Sequence, residues 1–235
     1  GHRPVENTLS VTVSESLLPV LPEVLARIKN LFDLYCEPEA VYETLQVMNT
    51  LQPGLCVLGT RLPGCFNVFE MSVRAVLGQQ ITVKAASTLA ARLVAAYGTQ
   101  VQTGIGGLTH SFPAPAAILA LGENISGHLG KLGIISARAN TIYQLARVLA
   151  DEKNDFGFCG NPEEEMQKLQ SIRGIGSWTA QYIAMRAMGW PDAFLPTDAG
   201  IKKALPDHTP KELQALSEAW RPWRSYATVN LWNTL

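Results

Sequence analysis

The sequence is short of the features that announce several large protein classes. It has only 4 cysteines in 235 residues, Cys36, Cys56, Cys65 and Cys159, with no C-x-x-C pair and no histidine near any of them at metal-ligand spacing. A reduced, cytoplasmic chain without an iron–sulfur cluster is the simplest reading. No apolar run approaches the ~20 residues that cross a bilayer, and the polar start, Gly1 to Thr8, lacks a signal-peptide core. No membrane partner is expected. Charge of either sign is not in excess, with 19 Lys and Arg against 20 Asp and Glu. A nucleic-acid partner would therefore have to be held by local basic patches and backbone dipoles. No repeat of fixed period and no low-complexity tract interrupts the chain.

Strand patterning is equally scarce. Only "LSVTV", Leu9 to Val13, alternates apolar and polar residues with the period of a half-buried strand. A lone strand has nothing to pair with. Residues 1–60 are therefore expected to be the truncated remnant of an N-terminal α+β region, its other strands outside this sequence, together with a connecting helix.

What the sequence does have is helix. Leu21, Val24, Leu25, Ile28, Leu31 and Phe32 recur at helical spacing. Similar patterns follow at about 38–48, 67–78, 82–97, 114–121, 136–150, 162–171, 177–188, 199–205, 210–220 and 222–232. The body should be mainly α, with Leu51 to Gly64 and the Gly-rich stretch Gly98 to His110 as connections.

One segment has chemistry in it. "LQSIRGIGSWTAQYIAMRAM", Leu169 to Met188, ends one helix near Ser171, turns through Gly174 and Gly176, and offers Ser177 to cap a second helix. Two glycines in so short a turn permit positive φ and close approach of another molecule to the backbone. The N–H groups at the start of the second helix would then face outward, a ready site for a phosphate. "GIGG", Gly104 to Gly107, lacks flanking helices and reads as loop.

Asp198, in "FLPTDAGIKKAL", reads by itself as the N-cap of a short helix from Ala199 to Leu205. That reading changes with its surroundings. "RLPGCFNVFEMSVRAVLGQQIT", "LGIISARANTIYQLA", "LQSIRGIGSWTAQYIAMRAMG", "DAFLPTDAGIKKAL" and "WRPWRSYATVNLW" together resemble the helix-hairpin-helix DNA glycosylases, of the bacterial 3-methyladenine DNA glycosylase II type. The likeness spans about Arg61 to Trp232 and, more weakly, extends back to Leu9.

The resemblance implies a glycosylase domain over residues 61–235, built as two helical subdomains with the hairpin at 169–188. It implies a monomer that flips alkylated bases such as 3-methyladenine out of double-stranded DNA and hydrolyses the N-glycosidic bond. By family position Asp198 is catalytic, Trp178, Tyr182 and Trp232 form an aromatic pocket for a cationic base, and Gly174, Gly176 and Ser177 contact the DNA backbone. Gln80 falls where the family's wedge lies, a leucine in a well-known relative. Where strand-cutting members carry a Schiff-base lysine this chain has Trp178, which implies an intact abasic product. Ala199 stands where some relatives have a pocket tyrosine. The resemblance implies that no cofactor is required and points to backbone carbonyls near Gln170, Ile172 and Ile175 as a site for Na+ or K+ at the hairpin. Two other readings stay open: a glycosylase for oxidised or mismatched bases, and a non-enzymatic DNA-binding module built on the same hairpin.

Overall fold

The computed structural model describes residues 8–150 and 161–235; Cys159 lies outside them. Twelve α-helices run through the described residues: α1 (Leu21–Leu31), α2 (Pro38–Leu45), α3 (Val68–Leu77), α4 (Val83–Tyr97), α5 (Pro115–Leu119), α6 (Ile125–Gly130), α7 (Ser136–Leu149), α8 (Pro162–Ser171), α9 (Ser177–Ala187), α10 (Ala199–Ala204), α11 (Pro210–Leu216) and α12 (Arg224–Trp232).

Local signals explain most of the starts. The side chains of Asn67, Thr82 and Asn161 accept backbone N–H groups at the N-termini of α3, α4 and α8, and Thr209 and Glu212 form a reciprocal capping box on α11. Proline stands in the first turn of α2, α5, α8 and α11, where its missing N–H costs nothing. The short α6 carries too few periodic residues to be anticipated.

The expected strand at Leu9–Val13 is not formed. Residues 8–14 lie in neither helix nor sheet, and Leu9 and Val11 are exposed. Alternation prepares a segment for pairing but does not supply the neighbour. The pairing seen among the described residues lies instead at the ends of the Gly-rich connection, where β1 (Thr99–Gln100) and β2 (His110–Ser111) run antiparallel. Two residues are too few for a period to show. The GIGG turn sits between them, with Gly104 and Gly107 both at positive φ.

Two apolar cores organise the helices. One gathers Val73, Val76, Leu77, Leu93, Ile118, Leu129, Ile142, Leu145, Leu169, Ile183 and Ala184, from α3 to α9. The other gathers Val41, Leu45, Met48, Leu55, Met185, Phe194, Leu195, Ile201, Leu213, Trp220, Tyr226 and Leu231. Helix α9 contributes to both, because Ile183 and Ala184 face one core while Met185 faces the other. Tyr182 borders the two. Any cleft between the subdomains must therefore run beside α9. Val41 through Leu62 pack with residues 193–231, so α2 and the turns after it are part of the second core.

A buried ion cluster fixes α12 against the chain leaving α9. Arg224 donates from Nε to Asp192 Oδ1 at 2.7 Å and from Nη2 to Oδ2 at 2.9 Å, and Arg221 reaches the same carboxylate. Both Asp192 and Arg224 are buried. Removing one partner of such a pair strands the other charge away from water. Asp192→Ala should lower unfolding free energy by ~3 kcal/mol in urea titration, with α12 and the residues it carries loosened first. A loss within ±0.5 kcal/mol, the range for a surface substitution, would contradict this placement.

Candidate active site

Asp198 is the N-cap of α10, as its sequence context suggests, and more than that. Its Oδ1 accepts the backbone N–H of Gly200 at 2.8 Å and of Ile201 at 3.1 Å. The same oxygen accepts the indole N–H of Trp232 at 2.8 Å, and Oδ2 accepts that of Trp178 at 3.1 Å. Donors from α9, α10 and α12 thus converge on one half-buried carboxylate. Three of these bonds fall on Oδ1 and one on Oδ2, which leaves Oδ2 with the larger spare acceptor capacity.

Trp178, Tyr182 and Trp232 are brought together around it. Trp178 and Tyr182, four residues apart on α9, stack with centroids 5.2 Å apart and planes within 7°. Tyr182 and Trp232 lie 6.3 Å apart and are tilted by 50°. The Arg186 guanidinium sits 5.8 Å from the Tyr182 ring centre and 5.5 Å from that of Trp232, while its Nη1 donates to the Pro63 carbonyl at 2.7 Å. A resident cation therefore already lies on two of the three rings. With Trp178 also stacked on Tyr182, the rings left for an incoming base are chiefly Trp178 and Trp232. Trp220 and Tyr226 are buried in the second core.

These groups line a groove of about 1430 Å³ that also takes in Arg74, Gln80, Arg138, Gly174 and Gly176. Ala199 lines it as an exposed residue, leaving that wall low. Gln80 is exposed in the turn between α3 and α4 at φ +54°. Lys202 and Lys203 are exposed on α10.

The hairpin uses its two glycines differently. Gly174 is at φ +97°, and a Cβ there would lie 2.1 Å from Thr141 Oγ1, so a side chain is excluded twice over. Gly176 has an extended backbone, φ −88° and ψ 177°, and nothing lies within 4 Å of a Cβ built on it. It is the N-cap of α9, and Ser177 is the first helical residue with no side-chain capping bond. The cap assigned to Ser177 thus belongs to Gly176, one residue earlier, because Ser177 already has helical geometry. The open space over Gly176 lies where the unpaired N–H groups of the first turn of α9 emerge. Gln170 is exposed, Ile172 and Ile175 are buried, and the Ile172 carbonyl accepts the Ile175 N–H at 3.0 Å.

Among the described residues no group of His, Cys, Asp and Glu is arranged to hold a metal ion, and no helix is long and apolar enough to cross a membrane. Desolvation raises the thiols of Cys36, Cys56 and Cys65, the last to about 11. These three are protonated at neutral pH and compete poorly as nucleophiles.

Sequence reasoning missed Arg186, Gln79 and Gly200. Arg186 follows Trp178 and Tyr182 at helical spacing and was within reach of the same argument. Gly200 was not: a Cβ there would meet Trp232 Cδ1 at 2.7 Å and Asp198 Oδ1 at 3.0 Å, a closeness visible only in three dimensions.

A two-lobed helical body whose shared helix begins at an open hairpin and holds a fastened carboxylate beside its first turn is the form of a base-excising DNA glycosylase. The chain belongs to the HhH-GPD superfamily of base excision DNA repair proteins, whose family model matches residues 73–223; the AlkA N-terminal domain matches residues 1–67. It is 37% identical over 228 residues to DNA-3-methyladenine glycosylase 2 of Escherichia coli, covering 97% of this chain and 77% of that one. It is 42% identical over 215 residues to a probable bifunctional transcriptional activator/DNA repair enzyme AlkA of Mycobacterium tuberculosis, covering 89% of this chain and 42% of that one. The 3-methyladenine DNA-glycosylase of Archaeoglobus fulgidus has the same fold, with a TM-score of 0.76 at 22% identity over 94% of this chain and 76% of that one.

The absence of a side chain at position 200 is what lets Trp232 lie against the start of α10. Gly200→Ala should push the Trp232 ring away and weaken its bond to Asp198. Base release under single-turnover conditions should fall about 10-fold, equivalent to ~1.4 kcal/mol of transition-state support, with a shift in tryptophan fluorescence and unchanged affinity for undamaged duplex. Parent-level release from this variant would show that the Trp232 contact is dispensable.

Proposed function

We propose that the protein excises alkylated bases such as 3-methyladenine from double-stranded DNA, acting as a monomer by hydrolysis alone. Support for a monomer is that the hairpin, the carboxylate and the aromatic rings all line one groove of a single chain. The observation that carries the reading is the Asp198 carboxylate, held by four donors, three of them on Oδ1, and lining the groove. A binding module gains nothing by presenting a carboxylate to a polyanion.

The chemistry asked of that carboxylate is modest. A purine alkylated on a ring nitrogen is already cationic and departs without protonation. As the glycosidic bond breaks, positive charge develops on the sugar, and Asp198 Oδ2 stabilises it or orients the water that adds to C1′. That water's proton leaves to Asp198 or solvent. The free ring surfaces of Trp178 and Trp232 attract the delocalised charge of the flipped base. Gly176 and the first turn of α9 accept a phosphate beside the lesion, and Gln80, exposed and lining the groove, fills the gap in the stack.

A monovalent cation suits the hairpin in donor type, since neutral carbonyls of Gln170, Ile172 and Ile175 are hard oxygen ligands and the space over Gly176 is open. Held there, it would add positive charge beside the bound phosphate.

Two experiments decide the reading. Asp198→Asn keeps much of the capping ability and removes the charge, so release of 7-methylguanine from methylated duplex should drop at least ~100-fold, the scale of losing a principal electrostatic stabiliser, while DNA binding persists. Near-normal release would return Asp198 to a purely structural cap. Separately, borohydride added during turnover should trap no protein–DNA adduct, because Trp178 stands where a Schiff-base lysine would be needed. A stable cross-link would sink hydrolysis as the sole route.

A further inference from the structure

The residue before Gln80 is tied down from several sides. Gln79 donates from Nε2 to the Gly174 carbonyl and to Thr179 Oγ1, each at 2.9 Å. Its own carbonyl accepts a hydrogen bond from the Arg138 guanidinium. On the other side of the hairpin the Thr141 hydroxyl lies 2.9 Å from the Arg173 carbonyl and 3.0 Å from that of Ala137. The same hydroxyl closes off the Cβ position of Gly174. The α3–α4 turn, the start of α7, the hairpin and the first turn of α9 therefore meet at Gln79, although it stands 95 residues before Gly174.

The arrangement has a mechanical consequence. Gln80 holds a left-handed backbone at φ +54°, which a non-glycine residue adopts only when its surroundings impose it. Its side chain is exposed, so the constraint comes through its neighbours in the chain. Gln79 is pinned to the hairpin before it, and Thr82 caps α4 just after it by accepting the Ala85 N–H at 3.2 Å.

We propose that Gln79 is a positioning residue that couples the hairpin to the wedge, so that backbone binding at α9 sets the height and direction at which Gln80 enters the base stack. The proposal rests on reading Gln80 as the wedge. Its donor end touches the two residues, Gly174 and Thr179, that flank the hairpin's phosphate-facing turn. Gripping the backbone and filling the vacated stack thereby become one event, which is what a flipped nucleotide requires if it is not to fall back.

A purely structural Gln79 would slow every substrate alike and act independently of Gln80. The test is a double-mutant cycle of Gln79→Met, which keeps length and loses the donor, against Gln80→Ala. Single-turnover release is followed from a duplex carrying one 7-methylguanine, either fully paired or opposite an abasic site where little stacking must be replaced. Gln79→Met should slow the paired substrate about fivefold and the abasic-opposed one less than about twofold, and in the Gln80→Ala background it should add less than about twofold further. Gln79→Glu, which cannot donate to the Gly174 carbonyl, should behave alike and guards against an effect peculiar to methionine. Multiplying losses in the double variant, or equal slowing of both substrates, overturns the coupling while leaving the glycosylase intact. Full activity of Gln80→Ala on the paired duplex removes the wedge and this proposal with it. A parent inactive on both duplexes refutes the excision reading itself.

Discussion

A carboxylate that must face DNA has to be held by donors from its own protein, and this constraint organises the site. Asp198 obtains them from two backbone N–H groups of α10 and from the indoles of Trp178 and Trp232. The four donors come from three helices, so satisfying one side chain fastens α9, α10 and α12 to one another. Capping and chemistry are not rival roles here. The bonds that cap α10 all fall on Oδ1, and that division is what leaves Oδ2 with acceptor capacity to spare.

Helix α9 transmits this order. It begins at the open backbone of Gly176, carries Trp178, Tyr182 and Arg186 along one stripe, and buries its remaining faces in two separate cores. A helix so placed cannot shift without disturbing both cores, whose buried aliphatic side chains are each worth roughly 1.5–3 kcal/mol. The groove beside it inherits that rigidity. Distances between hairpin, rings and carboxylate are thereby fixed before any DNA arrives, which is the condition for electrostatic stabilisation without reorganisation.

The helices were legible in the sequence because their apolar spacing is a local signal, and the side chains of Asn67, Thr82 and Asn161 cap three of them within a few residues of the expected starts. Asp198 and its aromatic partners were legible only through resemblance, since their meeting joins positions 20 and 34 residues apart. What escaped was of two kinds. Leu9–Val13 has the period of a strand without a neighbour to pair with, and Ser177 has the chemistry of a cap one position too late. Gln79 and Gly200 have no local signature at all, because what defines them is the approach of Gly174, Thr179 and Trp232 from distant parts of the chain.

The near-neutral charge of the chain fits this geometry. Arg74, Arg138 and Arg186 are the basic residues lining the groove, and each is tethered: Arg74 to Glu70 at 2.7 Å, Arg138 to the Gln79 carbonyl, Arg186 to the Pro63 carbonyl. A general excess of lysine would raise affinity for all DNA and would also repel a base that arrives already cationic. Backbone N–H groups at a helix start bind phosphate with partial charges that fade within a turn. Phosphate attraction can then come from the hairpin backbone while the pocket, whose Trp178 and Tyr182 stand in the first two turns of α9, is left to ring faces and a carboxylate. The one cation that remains in the pocket, Arg186, spends its charge on Tyr182 and Trp232. On the function proposed above it competes with an entering base for Trp232, and discrimination between cationic and neutral lesions would be a balance between Asp198, which favours positive charge, and Arg186, which opposes it.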